Sequence, residues 1–387
     1  MPDDLRSRTP VLLSAARTPV GRFGGALRGV DAVELGAAAV RAALERAGGA
    51  VPDQILLGNV VQAGNGQNPA RVAATRGGVP TTVPGITLNN VCLASMTAAG
   101  MAATLVRTGE SDTALVGGFE SMSRALHGVQ VREAARTGDG AMVDLLVRDG
   151  LWCALSEQGM GEMSDAATAE LGLARADQDA LALASHQRAA AATAGGRLAE
   201  EIVAVGGLDT DEGIRADSTA ERLARLRPAF VEGGTLTAGN SSQMSDAGSA
   251  GIVTTGAHAS ALGVEPLAEI VGHVAVAGPD PTLHLKPAHA ARELLKRHGL
   301  TPRDVDLWEI NEAFAAVVLA TERDLELDHD RVNVNGGAIA LGHPLGASGF
   351  RLVLTLAHEM RRRGAELGVA AICGGGGQGG AILLRRR

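Results

Sequence analysis

Apolar runs alternate with amphipathic stretches in the first 118 residues of the chain. Runs rich in Val, Leu and Ile predict strands, and apolar residues at spacings of three and four predict helices that bury one face. The predicted strands are at 11–16, 55–61 and 113–118, and the predicted helices are at 33–47 and from a turn around Cys92 to Arg107. Such alternation is typical of α/β layers.

Residues 266–387 repeat this order of elements. The predicted strands are at 267–276, 305–310, 369–373 and 380–384, and the predicted helices are at 287–298, at 312–325 and from a turn around His343 to Arg363. A unit repeated at the two ends predicts two similar halves packed together. Cys92 and His343 occupy matching turns, so we expect these two turns to meet at a shared face.

Residues 119–250 separate the two halves and differ from them in amino-acid pattern. Loops with Gly and Arg come first, and an Ala-rich amphipathic helix at 176–194 follows. We predict an N-terminal half at 1–118 that is completed by about 245–265, an inserted loop domain at 119–250, and a C-terminal half at 266–387.

Composition agrees with a large packed protein. The 387 residues and 39.3 kDa allow two or three domains. Hydrophobic residues make up 45% of the chain, but aromatic residues only 2%, with no Tyr and with 52 glycines. Packing therefore depends on small side chains and on close approach of backbone segments, for which glycine is suited.

Charge and targeting signals narrow the function classes. A formal charge of -8 and a pI near 5.7 give no broad attraction to polyanions, so no nucleic-acid partner is expected. The polar start MPDDLRSRTP lacks the features of a leader, and we find no apolar run of about 18 residues. These features predict a soluble cytoplasmic protein without a membrane segment.

Cysteine spacing and short motifs exclude several kinds of site. Cys92, Cys153 and Cys373 are an odd number without C-x-x-C spacing, which disfavours disulfides and a zinc knot and favours reduced thiols. HExxH and Walker-type motifs are missing from the sequence, so no metal site is expected. Residues 375–380 fit GxGxxG, but the seven residues AILLRRR that follow hold no helix with an acidic residue, so a dinucleotide site is not expected.

A cysteine and a histidine stand in the two matching turns. A thiol is a good nucleophile only as thiolate, so Cys92 needs a base such as His343, or a helix N-terminus, to lower its pKa. The alternative for Cys92 is a small buried apolar residue. A lone histidine is more often structural or solvated, but the turn from Gly342 to Pro344 is too rich in glycine to be explained by packing, which favours a positioned imidazole.

A second cysteine, Cys373, ends an apolar strand and meets four consecutive glycines. Glycine loses the most entropy when it is ordered, so stability alone disfavours such a run. Close approach of the backbone to reacting groups explains it better. Asn311 follows the predicted strand at 305–310, where it is also an ordinary helix N-cap.

Several motifs occur in order along the chain. They are ARTPVGRFGGAL at 16–27, NNVCLASM at 89–96, GGFESMSR at 117–124, LRPAF at 226–230, TAGNSS at 237–242, NEAFA at 311–315, GHPLGASG at 342–349 and CGGGGQGG at 373–380. With them the chain resembles the thiolase family along essentially its whole length. The resemblance implies a five-layered αβαβα fold of two duplicated halves with an inserted loop domain.

The resemblance also implies roles for individual residues. Cys92 is the nucleophile, His343 deprotonates it and helps to bind the thioester oxygen, and Cys373 is the acid/base at the α-carbon of the substrate. Asn311 holds a water that completes an oxyanion site. The N–H groups of Cys92 and Gly375 cradle a thioester oxyanion.

Substrate contacts follow from the same resemblance. Ser242 and Arg215 would contact CoA, and Met160 and Phe314 would line the acyl and pantetheine region. The insertion would cover the active site, and its part at 126–149 often shapes tetramer contacts in the family. Acyl-CoA and CoA are thus the expected partners in a homodimer or homotetramer, and no cofactor is expected because CoA is a substrate.

The implied activity is reversible thiolytic cleavage of 3-ketoacyl-CoA, or Claisen condensation of two acyl-CoA, by a ping-pong mechanism in fatty-acid metabolism. Gly159 stands where short-chain biosynthetic members carry His, which leans toward a broader or longer acyl range, although an acetoacetyl-CoA-forming enzyme stays open. Ala94 and Ser95 depart from the usual Ser and small residue after the nucleophile, which leaves loop geometry and acyl-pocket size open. A non-catalytic acyl-CoA-binding scaffold and a decarboxylating ketosynthase are further alternatives.

Overall fold

The computed structural model describes residues 8–132 and 140–387, and its main feature is a ten-stranded mixed sheet. The strands are β1 Pro10–Arg17, β2 Gly21–Arg22, β3 Gln54–Gly58, β4 Gly85–Leu88, β5 Thr113–Ser121, β6 His127–Gly128, β7 Val143–Asp144, β8 Trp152–Cys153, β9 Gln158–Gly159, β10 Ser245–Thr255, β11 Ala268–Ala277, β12 Leu307–Ile310, β13 Leu367–Gly374 and β14 Gln378–Arg385. The α-helices are α1 Ala32–Glu45, α2 Pro69–Arg76, α3 Ala94–Thr108, α4 Met160–Glu170, α5 Arg175–Ala194, α6 Ala220–Ala224, α7 Gly256–Leu262, α8 Lys286–Arg297, α9 Ala315–Leu325, α10 Ala338–Leu341 and α11 Leu345–Arg363. Short 3₁₀ helices at Met122–Arg124, Pro302–Asp304 and His329–Arg331 and a π-helical turn at Val147–Leu151 lie between them.

The predicted repeat is present in the strand order. The sheet runs β12-β13-β14-β11-β1-β10-β5-β3-β4, with β2 paired to β10. In the N-terminal half β3 is parallel to β5, which is followed by the antiparallel partners β10 and β1. In the C-terminal half β12 is parallel to β13, which is followed by the antiparallel partners β14 and β11. The two half sheets therefore have the same topology.

The two half sheets meet along a short seam. β1 and β11 share only the residue pairs Val11↔Glu269 and Leu12↔Ala268. The parallel bridge between Trp308 and Val332 takes the place that β4 has beside β3 in the other half. Such a narrow seam lets each half curve around the helices that lie between them.

Five layers follow from how the strands distribute their side chains. Leu12 packs with residues of α3 and α11 in a central layer, whereas Val11 and Leu13 pack with α1 and α2 in an outer layer. Alternate residues of a strand face opposite sides, and the strands β1, β5 and β10 are buried at every position because both faces of the sheet are covered. In the C-terminal half, α8 and α9 form the other outer layer.

Glycine allows the central helices to approach the sheet closely. A Cβ added to Gly118 of β5 would lie 2.1 Å from the carbonyl oxygen of Gly346 and 2.7 Å from that of Gly58. No real Cβ makes such contacts, so only glycine fits at this position. The turn that carries His343 is thereby packed directly onto the N-terminal half sheet.

The central helix α3 lies in an apolar stretch that was not predicted from the sequence. Val91–Thr108 has a mean hydropathy of 1.3, long and apolar enough to cross a membrane by length and composition, and 56% of it is buried in the fold. The expectation that the chain has no apolar run of about 18 residues was wrong for this segment. One face of the helix packs between the two half sheets, and Thr104, Arg107 and Thr108 lie on its exposed side.

The insertion is fixed to the first strand by a buried ion pair. The Arg17 guanidinium donates to both carboxylate oxygens of Asp211 at 2.7 and 2.9 Å, and Arg17 is 1% exposed. β5 runs to Ser121 and β10 begins at Ser245, so the sheet takes up the first and last residues of the stretch at 119–250. Two parts of the predicted regions lie outside the described residues. They are residues 1–7 of the N-terminal half and residues 133–139 of the segment 126–149, which often shapes tetramer contacts in the family.

Candidate active site

Cys92 lies in a sharp turn between β4 and α3. Val91, directly before it, has a φ of +56°, in the left-handed region that β-branched residues rarely adopt. The Asn89 side chain accepts the Val91 N–H at 3.0 Å, and the Asn90 amide donates to Thr97 Oγ1 at 2.8 Å. These bonds hold a strained backbone, which presents the sulfur beside the N-terminus of α3. Strain of this kind is concentrated at functional sites.

His343 lies in the turn before α11 and is 6% exposed. Its N–H donates to the carbonyl oxygen of Gln243 at 2.9 Å, which fixes the backbone of the turn. The ring makes two contacts: Nδ1 lies 2.6 Å from Ser348 Oγ, and Nε2 lies 3.4 Å from Asn311 Nδ2. Burial, with the charge of Arg351 as the smaller cause, lowers the pKa of His343 to about 3. The imidazole is therefore neutral in the resting site.

Cys373 is the last residue but one of β13 and is 1% exposed. The glycines after it form the hairpin to β14, in which Cys373 pairs with Gly379. Gly376 and Gly377 have φ of +75° and +70°, and a Cβ on Gly377 would lie 2.1 Å from the Asp280 carbonyl oxygen. Backbone conformation and close packing thus require at least these two glycines. Stability of this hairpin accounts for part of the run that the sequence analysis explained by function.

One pocket brings these groups together. The pocket is lined by His343, by Cys92 and Cys373 from the two halves, and by aliphatic side chains. The lining residues are Val91, Cys92, Gly150, Leu151, Met160, Ser242, Leu283, Ala313, Phe314, His343, Leu345, Cys373, Gly374 and Gly375. The expectation that the Cys92 and His343 turns meet at a shared face is confirmed by this pocket.

Burial dominates the protonation of both thiols. It raises the pKa of Cys92 to about 12, although the N–H groups of Gly375 and of Cys92 itself oppose the rise. The nearby negative charge of Glu120 adds to it. Burial, and then the neighbouring Cys92, raises the pKa of Cys373. The expected lowering of the Cys92 pKa is therefore wrong for the resting site, because desolvation outweighs the helix end and the N–H groups.

The other residues proposed for the site divide into two groups. Met160, Ser242, Phe314 and Gly375 line the pocket. Asn311 is fully buried behind it, against the His343 ring, and its Oδ1 has no hydrogen-bond partner. Arg215 is exposed and lies outside the pocket lining; its backbone N–H donates to His186 Nδ1 at 3.1 Å.

Ala94 and Ser95, which depart from the family pattern after Cys92, face the core and not the pocket. Ala94 packs against Gly58, where an added Cβ would lie 2.8 Å from the Ala94 Cβ. Ser95 Oγ accepts the N–H of Phe350 at 2.9 Å and joins α3 to α11. Neither residue lines the pocket, so their effect on acyl-pocket size is indirect.

Sequence reasoning missed Glu120, although the GGFESMSR motif contains it. Glu120 is 0% exposed, and its carboxylate accepts hydrogen bonds from the N–H groups of Val60, Val61 and Gly346 and from the Asn59 amide. Burial raises the pKa of Glu120 to about 7, against these four donors. A buried acidic residue inside an apolar strand was the available signal.

Gln243 was also missed, although it directly follows the TAGNSS motif. Its side-chain amide donates to the carbonyl oxygens of Gly213 at 3.1 Å and Ile339 at 2.9 Å, while its own carbonyl holds the His343 N–H. It therefore ties the insertion to the histidine turn. Within the described ranges, no group of three or more His, Cys, Asp or Glu side chains is arranged to hold a metal ion.

Comparison with known proteins gives one family for both ends of the chain. The family description "Thiolase, N-terminal domain" matches residues 10–257, and "Thiolase, C-terminal domain" matches residues 264–386. A probable acetyl-CoA acetyltransferase of Mycolicibacterium smegmatis is 46% identical over 388 residues, which cover 97% of this chain and 100% of the relative. The acetyl-CoA acetyltransferase of Pseudomonas aeruginosa is 46% identical over 390 residues, with 97% and 99% covered.

Solved structures agree with the sequence comparison. The crystal structure of the Bacillus anthracis acetyl-CoA acetyltransferase superposes with a TM-score of 0.94 at 37% sequence identity. The match covers 98% of this chain and 99% of that one. The fold expected from the sequence resemblance is confirmed by this superposition.

Proposed function

The chain belongs to the thiolase family, and from this membership we propose that it cleaves 3-ketoacyl-CoA with CoA and, in reverse, condenses two acyl-CoA molecules. It is an acyltransferase that works by a ping-pong mechanism through an acyl group on Cys92. The observation that carries the proposal is the pocket that contains Cys92, His343 and Cys373 together. Covalent storage of the acyl group divides one difficult step into two easier ones.

In the first step the Cys92 sulfur attacks the thioester carbonyl of an acyl-CoA. The two pKa values favour a neutral thiol and a neutral imidazole at rest. The proton therefore moves from the sulfur to His343 as the carbon–sulfur bond forms. The N–H groups of Cys92 and Gly375 stabilise the oxyanion, and His343 with a water on Asn311 assists. CoA thiolate then leaves and takes a proton.

In the second step Cys373, as thiolate, takes a proton from the α-carbon of a second acyl-CoA, and the carbanion attacks the acyl carbonyl carbon on Cys92. The carbon–sulfur bond to Cys92 breaks, and the Cys92 thiolate that leaves takes the proton from Cys373. Cleavage runs the same steps backwards, with CoA as the attacking thiol. The role of Cys373 is supported by its place beside Cys92, where the charge of one thiolate disfavours the other. Only one of the two sulfurs is therefore ionised at a time, which suits acid and base roles in sequence.

CoA is bound as a substrate, and we propose no further cofactor. Ser242 and Met160 line the pocket, and Phe314 stacks edge-on with Phe230, with ring centroids 5.9 Å apart. These contacts support a narrow apolar channel for pantetheine. The exposed Arg215 would meet the CoA phosphates outside the channel.

A short acyl group is the favoured substrate. The relatives named above are described as acetyl-CoA acetyltransferases. In the sequence, Gly159 in place of His favoured a longer acyl chain. In the structure Gly159 caps α4 and does not line the pocket. Comparing the cleavage of acetoacetyl-CoA with that of a medium-chain 3-ketoacyl-CoA decides between the two, because a β-oxidation enzyme of broad range would accept both.

A homotetramer built from dimers is the proposed assembly. Large exposed apolar side chains concentrate between residues 126 and 155, and exposed patches of this kind mark interaction surfaces. They are Leu126, Val129, Val131, Met142, Val143, Val147, Trp152 and Leu155. Light scattering after gel filtration tests the proposal, and charged substitutions at Val131 and Met142 should yield dimers.

The proposed compartment is the cytoplasm. Cys92, Cys153 and Cys373 are all free, which agrees with a reducing environment.

The function is tested by trapping the acyl enzyme. Wild-type protein mixed with acetyl-CoA should gain one acetyl group on Cys92, as read by mass spectrometry, and Cys92→Ala should gain none and lose turnover. Cys153→Ala is the matched control, because Cys153 is a buried thiol that does not line the pocket. Full activity of Cys92→Ala would contradict the proposal.

A further inference from the structure

The hydrogen bonds of the His343 ring determine which of its nitrogens carries the proton. Nδ1 lies 2.6 Å from Ser348 Oγ, and that oxygen lies 2.8 Å from the carbonyl oxygen of Pro344. On the other side of the ring, Nε2 lies 3.4 Å from Asn311 Nδ2. Ser348 is 2% exposed and Asn311 is 0% exposed, so bulk water does not compete for these bonds.

Proton counting separates two arrangements. Ser348 carries one hydroxyl hydrogen, and serine in a helix commonly donates it to the carbonyl four residues earlier, here Pro344. If it does so, Oγ accepts Nδ1–H, and Nε2 is left to accept the Asn311 amide. Three hydrogen bonds form, and Asn311 Oδ1 is the acceptor in this set that is left without a partner.

The opposite arrangement is poorer. If Oγ–H donates to Nδ1, two oxygens 2.8 Å apart, Ser348 Oγ and Pro344 O, face each other with no hydrogen between them. Nε2 then carries the proton and opposes the Asn311 amide unless that amide rotates, which would leave its NH₂ group buried without this partner. Only two hydrogen bonds form, one fewer than in the first arrangement, and the two facing oxygens repel each other.

We infer that Ser348 is a positioning residue that holds His343 in the Nδ1–H tautomer, so that Nε2, which accepts the Asn311 amide at rest, is the nitrogen whose lone pair takes the Cys92 proton when it exchanges that partner for the thiol. The inference rests on the proposed function for its catalytic meaning. The tautomer itself is a property of the resting protein and can be measured without substrate.

A hydroxyl partner has a consequence that a carboxylate partner would not have. Ser348 orients the ring without supplying a negative charge. Burial and, to a smaller extent, the charge of Arg351 on the same helix disfavour the imidazolium. The protonated ring is therefore short-lived and returns its proton readily. This suits a base that must take a proton from the thiol and then release it to the departing CoA.

The experiment compares Ser348→Ala, Ser348→Thr and Thr355→Val. Thr355 is a buried hydroxyl on the same helix that donates to Glu201 at 2.7 Å, away from His343, so Thr355→Val controls for the loss of any buried hydroxyl. Ser348→Ala should slow acylation of Cys92 by about 10- to 100-fold, less than the roughly 100- to 10,000-fold that general-base catalysis supplies, because the base is misplaced but not removed. The KM for acyl-CoA should change little, because Ser348 does not line the pocket. Ser348→Thr should restore most of the rate.

Nitrogen-15 NMR of labelled histidine gives the second measurement, with the His343 signal assigned from its loss in His343→Asn. The wild-type ring should show the proton on Nδ1, Ser348→Ala should show a mixture of tautomers, and Ser348→Thr should resemble the wild type. A wild-type proton on Nε2, or normal acylation and an unchanged tautomer in Ser348→Ala, would overturn the inference. If Ser348→Ala does not fold, the wild-type spectrum decides alone. Failure of the acyl-enzyme test with Cys92 would instead overturn the function and leave the tautomer measurement standing.

Discussion

The carboxylate of Glu120 accepts the backbone N–H of Gly346 at 3.1 Å, and so joins the N-terminal half sheet to the turn that carries His343. The same carboxylate holds the N–H groups of Val60 and Val61, beside the Cys92 turn. One buried side chain therefore sets the distance between the turns of the proposed nucleophile and base.

Glu120→Gln should destabilise the protein by about 2 kcal/mol or more. In the glutamine variant an NH₂ group replaces one carboxylate oxygen and faces N–H donors, with which it cannot form hydrogen bonds. Each buried group that is left without a partner costs about 1–3 kcal/mol. Urea unfolding at pH 7 measures the change. Glu110→Gln, at an exposed position on the surface, should have little effect. Equal stability of the two variants would show that Glu120 does not join the halves.

Cys373→Ala should separate the two half-reactions. The variant keeps Cys92, His343 and Gly375, so it should still gain an acetyl group from acetyl-CoA. It should lose condensation and cleavage because no base remains at the α-carbon. Mass spectrometry measures the first activity and acetoacetyl-CoA absorbance the second. Unchanged turnover in this variant would show that another group moves the α-proton.

Alkylation of Cys92 should keep rising with pH. The pKa of Cys92 is raised to about 12, so the thiolate fraction grows tenfold with each pH unit over the whole accessible range. Iodoacetamide labelling, followed at the Cys92 peptide, should show no plateau below about pH 10, whereas the unfolded chain should level off above its ordinary thiol pKa of about 8.5. A plateau near neutral pH would indicate a thiolate–imidazolium pair at rest.

Gly118→Ala should cost about 3 kcal/mol, at the upper end for overpacking in a core. Its Cβ would meet the carbonyl oxygens of Gly346 and Gly58, which are backbone atoms that cannot turn aside. Activity should fall further than stability, because the displaced Gly346 belongs to the His343 turn. Gly29→Ala is the control: a Cβ there has no neighbour within 4 Å. Its stability should stay within about 0.5 kcal/mol of the wild type.

His284→Gln should change the pH dependence of stability. His284 is 1% exposed, donates to or accepts from Thr168 Oγ1 at 2.8 Å, and burial lowers its pKa to about 4. The unfolded chain takes up its proton near pH 6.5, so the contribution is full above pH 6.5 and is lost as the pH falls toward 4. The variant should reduce the slope of unfolding free energy against pH in this window by about 1.4 kcal/mol per unit. Thr168→Val, which keeps the buried imidazole, should retain the slope, and an unchanged slope in His284→Gln would contradict the assignment.

The sequence by itself determined the elements and their repetition. Apolar runs such as 11–16 and 369–373 predicted buried strands, which the structure has as β1 and β13, and glycine, proline and asparagine marked the turns around Cys92 and His343. Local backbone preferences and hydrophobic periodicity act over a few residues, so they can be taken from the chain without its fold. The repeated order then predicted two halves and a shared face.

Only the tertiary structure decided the protonation and the orientation of the site. The position of Cys92 before a helix predicts a lowered thiol pKa, but burial between the halves raises that pKa instead. Desolvation depends on every segment that surrounds the sulfur, so the local sequence does not reveal it. Glu120, Gln243 and Ser348 touch residues of the site from distant parts of the chain or across a turn, and spacing alone does not reveal such contacts. Pairwise geometry between separate segments is set by packing, which no local pattern encodes.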